Sequence, residues 1–334
     1  MLAGGPALWL AAGAPEQLPA SAGAVVETSG STARPKRVVL SRAALLAAAQ
    51  AAATRSGGVG TWHLALPSRY VAGLMVLVRA VVAGCPVATV SSDLSDLAPT
   101  GDGDAISIVP TQLHRAVADP GVAALLARLR LVLVGGAALD PELRHRAEAA
   151  GIGVVSTYGA SESCGGCVWD GEPLPGTTVD LESDPGLPSD QGRVLLGGDM
   201  LFDGYQGDQD ATRAALADGR FRTADRGRWR DGRLEVLGRL DDIVVTGGLK
   251  VDLGEVRRAA AQLDAESAVV AVADQEWGSR IVLFARGGGL SQWRDQLGHA
   301  LPRHALPRQV VHVDELPRTA GGKPDHAALV GRVR

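Results

Sequence analysis

Strand-like and helix-like segments alternate along the first two-thirds of the chain, and this alternation constrains the fold more than any other feature. The strand-like runs are short and aliphatic, and they lie at residues 24–27, 38–40, 130–134 and 152–156. Helix-start signals lie between them, such as Ser41 ahead of an alanine-rich run and Asp140 ahead of Pro141. We therefore predict a large α/β N-terminal domain with a largely parallel sheet.

The pattern changes after about residue 192, where short β segments follow one another. Residues 228–236 are predicted to form a hairpin around an Asp-Gly turn. The rest of the chain is predicted to form a compact α+β unit, with helices at 254–263 and 290–301 and strands at 268–272 and 280–285. We predict an N-terminal domain at residues 1–238, a hinge at 239–241 and a small mobile C-terminal domain at 242–334.

Charge, cysteine content and hydropathy exclude several classes of protein. The chain has 33 Lys and Arg against 37 Asp and Glu, so it lacks the excess of positive charge that is typical of nucleic-acid-binding proteins. Its 3 cysteines are too few for a disulfide framework, which favours a cytoplasmic location. The longest apolar stretch, residues 71–90, contains Arg79 and is broken by Gly84 and Pro86, so we expect no membrane insertion. We also expect no secretory signal, because residues 1–15 lack a basic start.

A loop rich in hydroxyls and glycine follows the first apolar strand: Thr28, Ser29, Gly30, Ser31, Thr32, Ala33, Arg34, Pro35, Lys36. Backbone N–H groups, hydroxyls and one lysine are suited to wrapping a phosphate group. The spacing differs from that of a Walker A loop. Taken alone, such a loop is more often a surface turn, so both interpretations stay open at this point.

Three further segments carry polar groups that could serve a nucleotide. Residues 157–162 end in Glu162 beside hydroxyls, a donor set that suits Mg²⁺. Asp225 and Arg239 flank the domain boundary and could hold a ribose diol. Lys323 lies in a Gly-rich segment near the C-terminus and could approach a reacting phosphate. Each of these segments, taken alone, is more often an ordinary surface feature.

These segments, taken together and in this order, resemble the adenylate-forming superfamily of acyl-CoA synthetases, peptide-synthetase adenylation domains and luciferases. That family combines a T-S-G-S/T-T-x-x-P-K loop, Y-G-x-S/T-E, T-G-D, G-R-x-D-D and a late G-K. This chain departs from the family at two positions. Ala33 replaces the Gly that usually follows the loop hydroxyls, and Ala224 replaces the Gly of T-G-D. The resemblance implies the family's fold, ATP and Mg²⁺ as requirements, CoA as co-substrate and small-molecule partners; a homodimer is left open.

The resemblance also implies a role for each matching residue. The implied catalytic residues are Lys323, Glu162 (which would also bind Mg²⁺), Ser161 and Thr28. The implied ATP-binding residues are Thr28, Ser29, Gly30, Ser31, Thr32, Lys36, Gly135, Gly136, Ala137, Tyr158, Gly159, Asp225 and Arg239. Asp241 is the implied hinge residue, and Gly247, Gly248 and Lys250 are the implied CoA residues.

Among the subfamilies, the chain most resembles the compact o-succinylbenzoate–CoA ligases of menaquinone biosynthesis, on the basis of residues 66–79, 109–113 and 158–171. The implied acyl-substrate residues are Tyr70, Ala72, Arg79 and Ser163, although many relatives have His in place of Tyr70. The expected reaction forms acyl-AMP and then the CoA thioester. Three alternatives remain: another aryl or short-chain acid, a carrier-protein acceptor, and a nucleotide-binding module without catalysis.

Arg79 and the Cys164–Cys167 pair each allow more than one interpretation. A buried Arg without an anionic partner is costly. Arg79 is therefore expected to bind the second carboxylate of the substrate, to pair with an internal acid, or to reach the surface. Cys164 and Cys167 would need two more ligands for zinc, so we expect them to line the aryl pocket instead.

Overall fold

The structure is a computed structural model, and it describes residues 1–13, 15, 17–28, 35–185, 187–318 and 324–333. The strands are β1 (Leu8–Leu10), β2 (Ala22–Thr28), β3 (Lys36–Ser41), β4 (Trp62–Leu64), β5 (Val87–Thr89), β6 (Ala105–Ile108), β7 (Leu131–Val134), β8 (Val154–Ala160), β9 (Gly165–Trp169), β10 (Glu172–Pro173), β11 (Thr178–Ser183), β12 (Gly192–Gly197), β13 (Gly204–Tyr205), β14 (Leu216–Ala217), β15 (Arg220–Arg230), β16 (Arg233–Arg239), β17 (Ile243–Thr246), β18 (Leu249–Asp252), β19 (Ala268–Asp274), β20 (Gly278–Ala285) and β21 (Gln309–His312). The α-helices are α1 (Arg42–Ser56), α2 (Val71–Ala83), α3 (Pro110–Ala118), α4 (Pro120–Leu126), α5 (Pro141–Ala149), α6 (Gln209–Ala215), α7 (Leu253–Leu263), α8 (Leu290–Leu297) and α9 (His326–Val330).

A seven-stranded sheet forms the centre of the N-terminal part, in the order β5-β4-β6-β7-β8-β9-β10. The first five of these strands are parallel, and β9 and β10 are antiparallel additions at one edge. Both faces of the sheet are covered, which is the usual condition for parallel strands. Val132 and Val134 pack in the cluster that includes residues of α3 to α5, whereas Leu131 and Leu133 pack with residues of α1 and α2. The predicted α/β architecture is confirmed.

Local signals in the sequence account for several element ends. The Ser41 side chain accepts a hydrogen bond from the Ala44 N–H and caps α1, as predicted, and α1 ends at Gly57 in the left-handed region. The Asp140 side chain caps α5 in the same way. Asp231 and Gly232 both have positive φ angles, so the Asp-Gly dipeptide makes the predicted turn between β15 and β16.

Two smaller sheets complete the N-terminal part. One has the order β1-β2-β3-β13, and the other has the order β11-β12-β15-β14, with β16 paired to β15. The first of these matters for the site, because β2 and β3 flank the predicted phosphate loop and pair Thr28 with Lys36. Strand β13, of only two residues, pairs antiparallel with β3 and places Tyr205 opposite Val38.

The chain divides into two units by its internal contacts. Within the described ranges, the first unit comprises residues 1–28, 35–223 and 228–235, and the second comprises 224–227 and 236–333. The second unit holds the sheet β18-β17-β20-β19 with β21 beside β20, and α7 and α8 pack against it around Trp293 and Leu283. The hinge at 239–241 and the boundaries at 238 and 242 stay predictions.

Candidate active site

The carboxyl ends of β7 and β8 bring the predicted adenine residues to one edge of the sheet. The two strands are parallel, with Val134 opposite Ser156, so Gly135-Gly136 and Tyr158 follow at the same edge. A Cβ added to Gly135 would lie 2.3 Å from Thr157 Oγ1, so a larger residue there would require the Thr157 side chain to move. The close approach of Thr157 therefore favours glycine at position 135.

A tight turn after β8 fixes Ser161 and Glu162. Residues Ser161–Ser163 form one 3₁₀ turn, and the buried Ser163 hydroxyl accepts from the Ala160 N–H at 2.9 Å and donates to the Gly165 carbonyl at 3.0 Å. A Cβ on Gly159 would lie 2.0 Å from the Gly165 carbonyl oxygen. The turn is thus held by local contacts that place the Glu162 side chain at the strand end. Ser163 makes its bonds within the turn, and its predicted contact with the acyl substrate stays a prediction.

Glu162 is held by two groups from a distant part of the chain. Its backbone carbonyl accepts from the Phe202 N–H at 2.8 Å, and its Oε1 accepts from the Tyr205 hydroxyl at 2.8 Å. The Tyr205 ring in turn lies under the Lys36 ammonium, whose Nζ is 4.6 Å from the ring centroid. Burial, together with the Glu162 carboxylate, raises the pKa of Tyr205 above its ordinary value, so its hydroxyl remains a donor. The sequence analysis missed Tyr205, and its only signal is a Gly-Tyr dipeptide after an aromatic residue.

The donor set at Glu162 fits a magnesium ion shared with a nucleotide. Oε1 is occupied by Tyr205, whereas Oε2 accepts no hydrogen bond from any described residue. Mg²⁺ prefers hard oxygen ligands and usually takes one or two carboxylates together with substrate phosphates. Within the described ranges no three His, Cys, Asp or Glu side chains cluster as a metal cage. A site of this kind therefore needs phosphate oxygens to complete it.

Arg79 lies buried in α2, with 7% of its surface exposed. It stands 5.7 Å from the ring centroid of Trp62, and its Nε has no hydrogen-bond partner. In the part of the chain that the structure describes, no carboxylate forms an ion pair with it. Burial lowers the pKa of Arg79 from 12.5 to about 10. Of the three alternatives for this residue, the internal ion pair and the surface position are not what the structure shows.

The other predicted acyl residues lie near the start of α2. Tyr70 precedes its first residue, and the Arg69 guanidinium lies 4.8 Å from the Tyr70 ring centroid. Ala72 is exposed on the first turn. Cys164 and Cys167 are buried in a core cluster that also holds Met75. Burial raises the pKa of both thiols, that of Cys167 to about 11, so neither is a thiolate near neutral pH.

The second unit carries the predicted ribose, hinge and CoA residues. Arg239 forms a bidentate pair with Asp241, with its Nη2 2.6 Å from Oδ2, and lies 3.6 Å from Asp225. These hydrogen bonds to Asp241 raise the pKa of Arg239. Gly247 and Gly248 form the left-handed turn between β17 and β18. The structure therefore brings Asp225, Arg239 and Asp241 into one ion-pair group.

Ser29, Gly30, Ser31, Thr32 and Lys323 lie outside the described residues, so their roles stay predictions. Two protein-family models match the chain. The AMP-binding enzyme model matches residues 14–206, more than half of the chain, and the AMP-binding enzyme C-terminal domain model matches residues 261–323. The chain belongs to the AMP-binding enzyme family. The resemblance stated from the motifs is confirmed.

Relatives within this AMP-binding family cover most of the chain. A protein of Mycobacterium tuberculosis named as a probable 2-succinylbenzoate–CoA ligase is 39% identical over 95% of this chain and 86% of its own length. The 2-succinylbenzoate–CoA ligase of Enterococcus faecalis is 28% identical over 91% of this chain and 68% of its own. The structure of o-succinylbenzoate CoA synthetase from Bacillus subtilis, in complex with its acyl-adenylate intermediate, superposes with a TM-score of 0.84 at 24% identity. It covers 94% of this chain and 69% of the synthetase, and it shows that the fold is shared.

None of the helices in the described ranges combines the length and apolar character needed to cross a bilayer. The most apolar of them, α2, spans 13 residues and contains the buried Arg79.

Proposed function

We propose that the chain is an ATP-dependent acid–thiol ligase that converts o-succinylbenzoate to its CoA thioester, with AMP and pyrophosphate as the other products. The observation that carries the choice of substrate is the buried Arg79 guanidinium, which has no anionic partner among the described residues. o-Succinylbenzoate has two carboxylates and only one is activated, so the other can pair with Arg79. The 39% identity to the M. tuberculosis relative supports the same substrate.

In the first half-reaction, an oxygen of the substrate carboxylate attacks the α-phosphorus of ATP, and the bond to pyrophosphate breaks. Negative charge on the phosphate oxygens is stabilised by Lys36, the hydroxyls and N–H groups of residues 28–32, and Lys323. Glu162 is proposed to hold Mg²⁺, which supplies charge neutralisation at the phosphates when bound. Gly135, Gly136, Ala137 and Tyr158 are proposed to line the adenine site, and Asp225 and Arg239 to bind the ribose hydroxyls.

In the second half-reaction, the CoA sulfur attacks the acyl carbon of the acyl-AMP. The carbon–oxygen bond to AMP breaks, and the thiol proton passes to solvent. We propose that the C-terminal domain turns about Asp241 between the two steps, which removes Lys323 and brings residues 246–250 to the acyl-AMP. CoA rather than a carrier protein is proposed as the acceptor because the relatives are named as CoA ligases.

A cytoplasmic location is part of the proposal, since ATP and CoA are found there and the chain has no disulfide framework. Small molecules are the proposed partners, and a homodimer stays a prediction that size-exclusion chromatography with light scattering tests directly.

Pyrophosphate release tests the proposed function. The purified chain is incubated with Mg-ATP and o-succinylbenzoate, benzoate or acetate, each without CoA. We expect release that is selective for o-succinylbenzoate. Equal release with another acid would replace the substrate, and ATP binding without release would favour a non-catalytic nucleotide-binding module.

The Lys323→Ala variant tests whether Lys323 acts in acyl-AMP formation and not in thioester formation. We expect it to abolish acyl-AMP formation but to leave thioester formation from supplied acyl-AMP largely intact. Equal losses in both half-reactions would contradict the proposed domain rotation.

A further inference from the structure

Tyr205 contacts both charged side chains that are predicted to serve the phosphates. Its hydroxyl donates to Glu162 Oε1 at 2.8 Å, and the Lys36 Nζ lies 4.6 Å from the centroid of the same ring. Tyr205 itself is buried, with 8% of its surface exposed. We propose that Tyr205 is a positioning residue that fixes the orientation of the Glu162 carboxylate toward Mg²⁺ and keeps the Lys36 ammonium available to the phosphates. The proposal rests on the proposed function.

Three contacts position Tyr205, two through its backbone and one through its ring. The Tyr205 N–H donates to Thr212 Oγ1 at 2.9 Å, and β13 pairs Tyr205 with Val38 of β3. The Phe202 ring packs at 5.0 Å between centroids. The preceding residue, Gly204, has a φ of 146°, and a Cβ there would lie 2.7 Å from Thr212 Cγ2. The hydroxyl therefore reaches Glu162 from a fixed direction.

A fixed donor on one carboxylate oxygen has a consequence for the other. With Oε1 engaged, Oε2 is the oxygen left for the metal, and the rotation of the carboxylate is restrained. Groups that orient a metal ligand in this way commonly change metal affinity about 10-fold to 100-fold when removed. Only one hydrogen bond is involved here, and Glu162 is partly exposed, so we expect the lower end of that range.

The two charged groups contact different parts of Tyr205 and do not pair with each other. Lys36 forms no ion pair with any carboxylate in the described part of the chain, although its ammonium lies over the ring whose hydroxyl donates to Glu162. An ammonium over an aromatic face is attracted by the ring and retains its full charge. If Lys36 and Glu162 paired directly, each would neutralise the other and both would be lost to the magnesium nucleotide.

The test compares Tyr205→Phe with the wild type by titrating Mn²⁺, detected by electron paramagnetic resonance, into the full chain with a non-hydrolysable ATP analogue. Phe retains the ring under Lys36 but lacks the hydroxyl. We expect about 10-fold weaker Mn²⁺ binding, with unchanged affinity for the analogue in the absence of metal. Tyr205→Leu removes the ring as well, and it should also weaken the metal-free affinity for the analogue.

Two controls separate positioning from general damage. Thr61→Val removes a buried hydroxyl that hydrogen-bonds to Thr100 and to neither Tyr205 nor Glu162, so it should leave Mn²⁺ affinity unchanged even if it lowers stability. In a Glu162→Gln background, Tyr205→Phe should have no further effect on Mn²⁺ affinity, because the hydroxyl acts through the carboxylate.

The two proposals fail in different ways. Equal Mn²⁺ affinity in wild type and Tyr205→Phe, with the wild type releasing pyrophosphate, would overturn the positioning role alone. An equal additional loss in the Glu162→Gln background would also overturn it. A wild-type chain that binds no metal nucleotide and releases no pyrophosphate would overturn the proposed function and this proposal with it.

Discussion

Arg79→Met is expected to stabilise the ligand-free protein while impairing its use of substrate. The pKa of Arg79 falls from 12.5 to about 10 because of burial, a difference that corresponds to about 3 kcal/mol of destabilisation of the charged form. Loss of the contact with the Trp62 ring offsets about 1 kcal/mol of the gain. Met is unbranched and fills similar apolar space. The expected net gain in the free energy of unfolding is about 2 kcal/mol.

The size of this effect depends on pH. Near neutral pH Arg79 is charged in both the folded and unfolded states, so the wild type carries the full cost. Between about 10 and 12.5 the unfolded chain binds more protons than the folded one, so wild-type stability rises with pH. The advantage of Arg79→Met should therefore shrink as pH rises through 10.

Urea unfolding without ligands measures the stability change, and steady-state pyrophosphate release measures the functional change. We expect the KM for o-succinylbenzoate to rise about 10-fold to 100-fold, the value of a lost hydrogen bond to a charged group. Use of benzoate, which lacks the second carboxylate, should be little changed. Arg213→Met, at an exposed position, is the matched control and should stay within about 0.5 kcal/mol of wild type. A ligand-free Arg79→Met protein that is less stable than wild type would contradict this prediction, because it would show that Arg79 stabilises the fold itself.

Three further outcomes follow from the packing of the first unit. Gly159→Ala should destabilise the protein by about 3 kcal/mol, because its Cβ would lie 2.0 Å from a backbone oxygen; Gly101→Ala, with nothing within 4 Å, is the control in urea unfolding. Burial raises the pKa of Asp104, but hydrogen bonds from His63 and Thr100 outweigh it and hold the pKa below its ordinary value, so the stability it contributes should be full at neutral pH and lost as pH falls through that lowered pKa. Unfolding curves of Asp104→Asn should accordingly show a loss of about 3 kcal/mol at neutral pH and a smaller one in acid. In a thiol assay with Ellman's reagent, the two buried cysteines of the C-G-G-C segment should react only after denaturation, and rapid reaction of all 3 in the native state would contradict the described burial.

The sequence predicted those parts of the fold that depend on neighbouring residues. The Ser41 cap and the Asp-Gly turn are set by side chains within a few residues of the backbone groups that they satisfy or bend. The parallel core followed from the alternation of strands and helices, since such connections nearly always place strands side by side in one sheet. The edge strands β9 and β10 were not predicted, because their pairing is antiparallel and depends on the turn after β8.

In the site too, contacts between residues far apart in the chain were not predicted from the sequence. The motifs located Glu162 at a strand end, but they did not predict the hydroxyl that orients it. Tyr205 lies 43 positions further along the chain and reaches Glu162 only because the short strand β13 pairs with β3. Arg79 was identified as a buried charge from its apolar neighbours. Whether an internal acid paired with it depended on tertiary packing, which the local pattern does not contain.

The most direct test of the proposed function is to identify the acyl product that forms when CoA is supplied. The chain is incubated with Mg-ATP, CoA and an equimolar mixture of o-succinylbenzoate, benzoate and acetate, and the thioesters are identified by mass spectrometry. We expect o-succinylbenzoyl-CoA to be the dominant thioester, formed with AMP and pyrophosphate and dependent on both ATP and CoA. A dominant thioester of another acid, or acyl-AMP that accumulates without transfer to CoA, would contradict it.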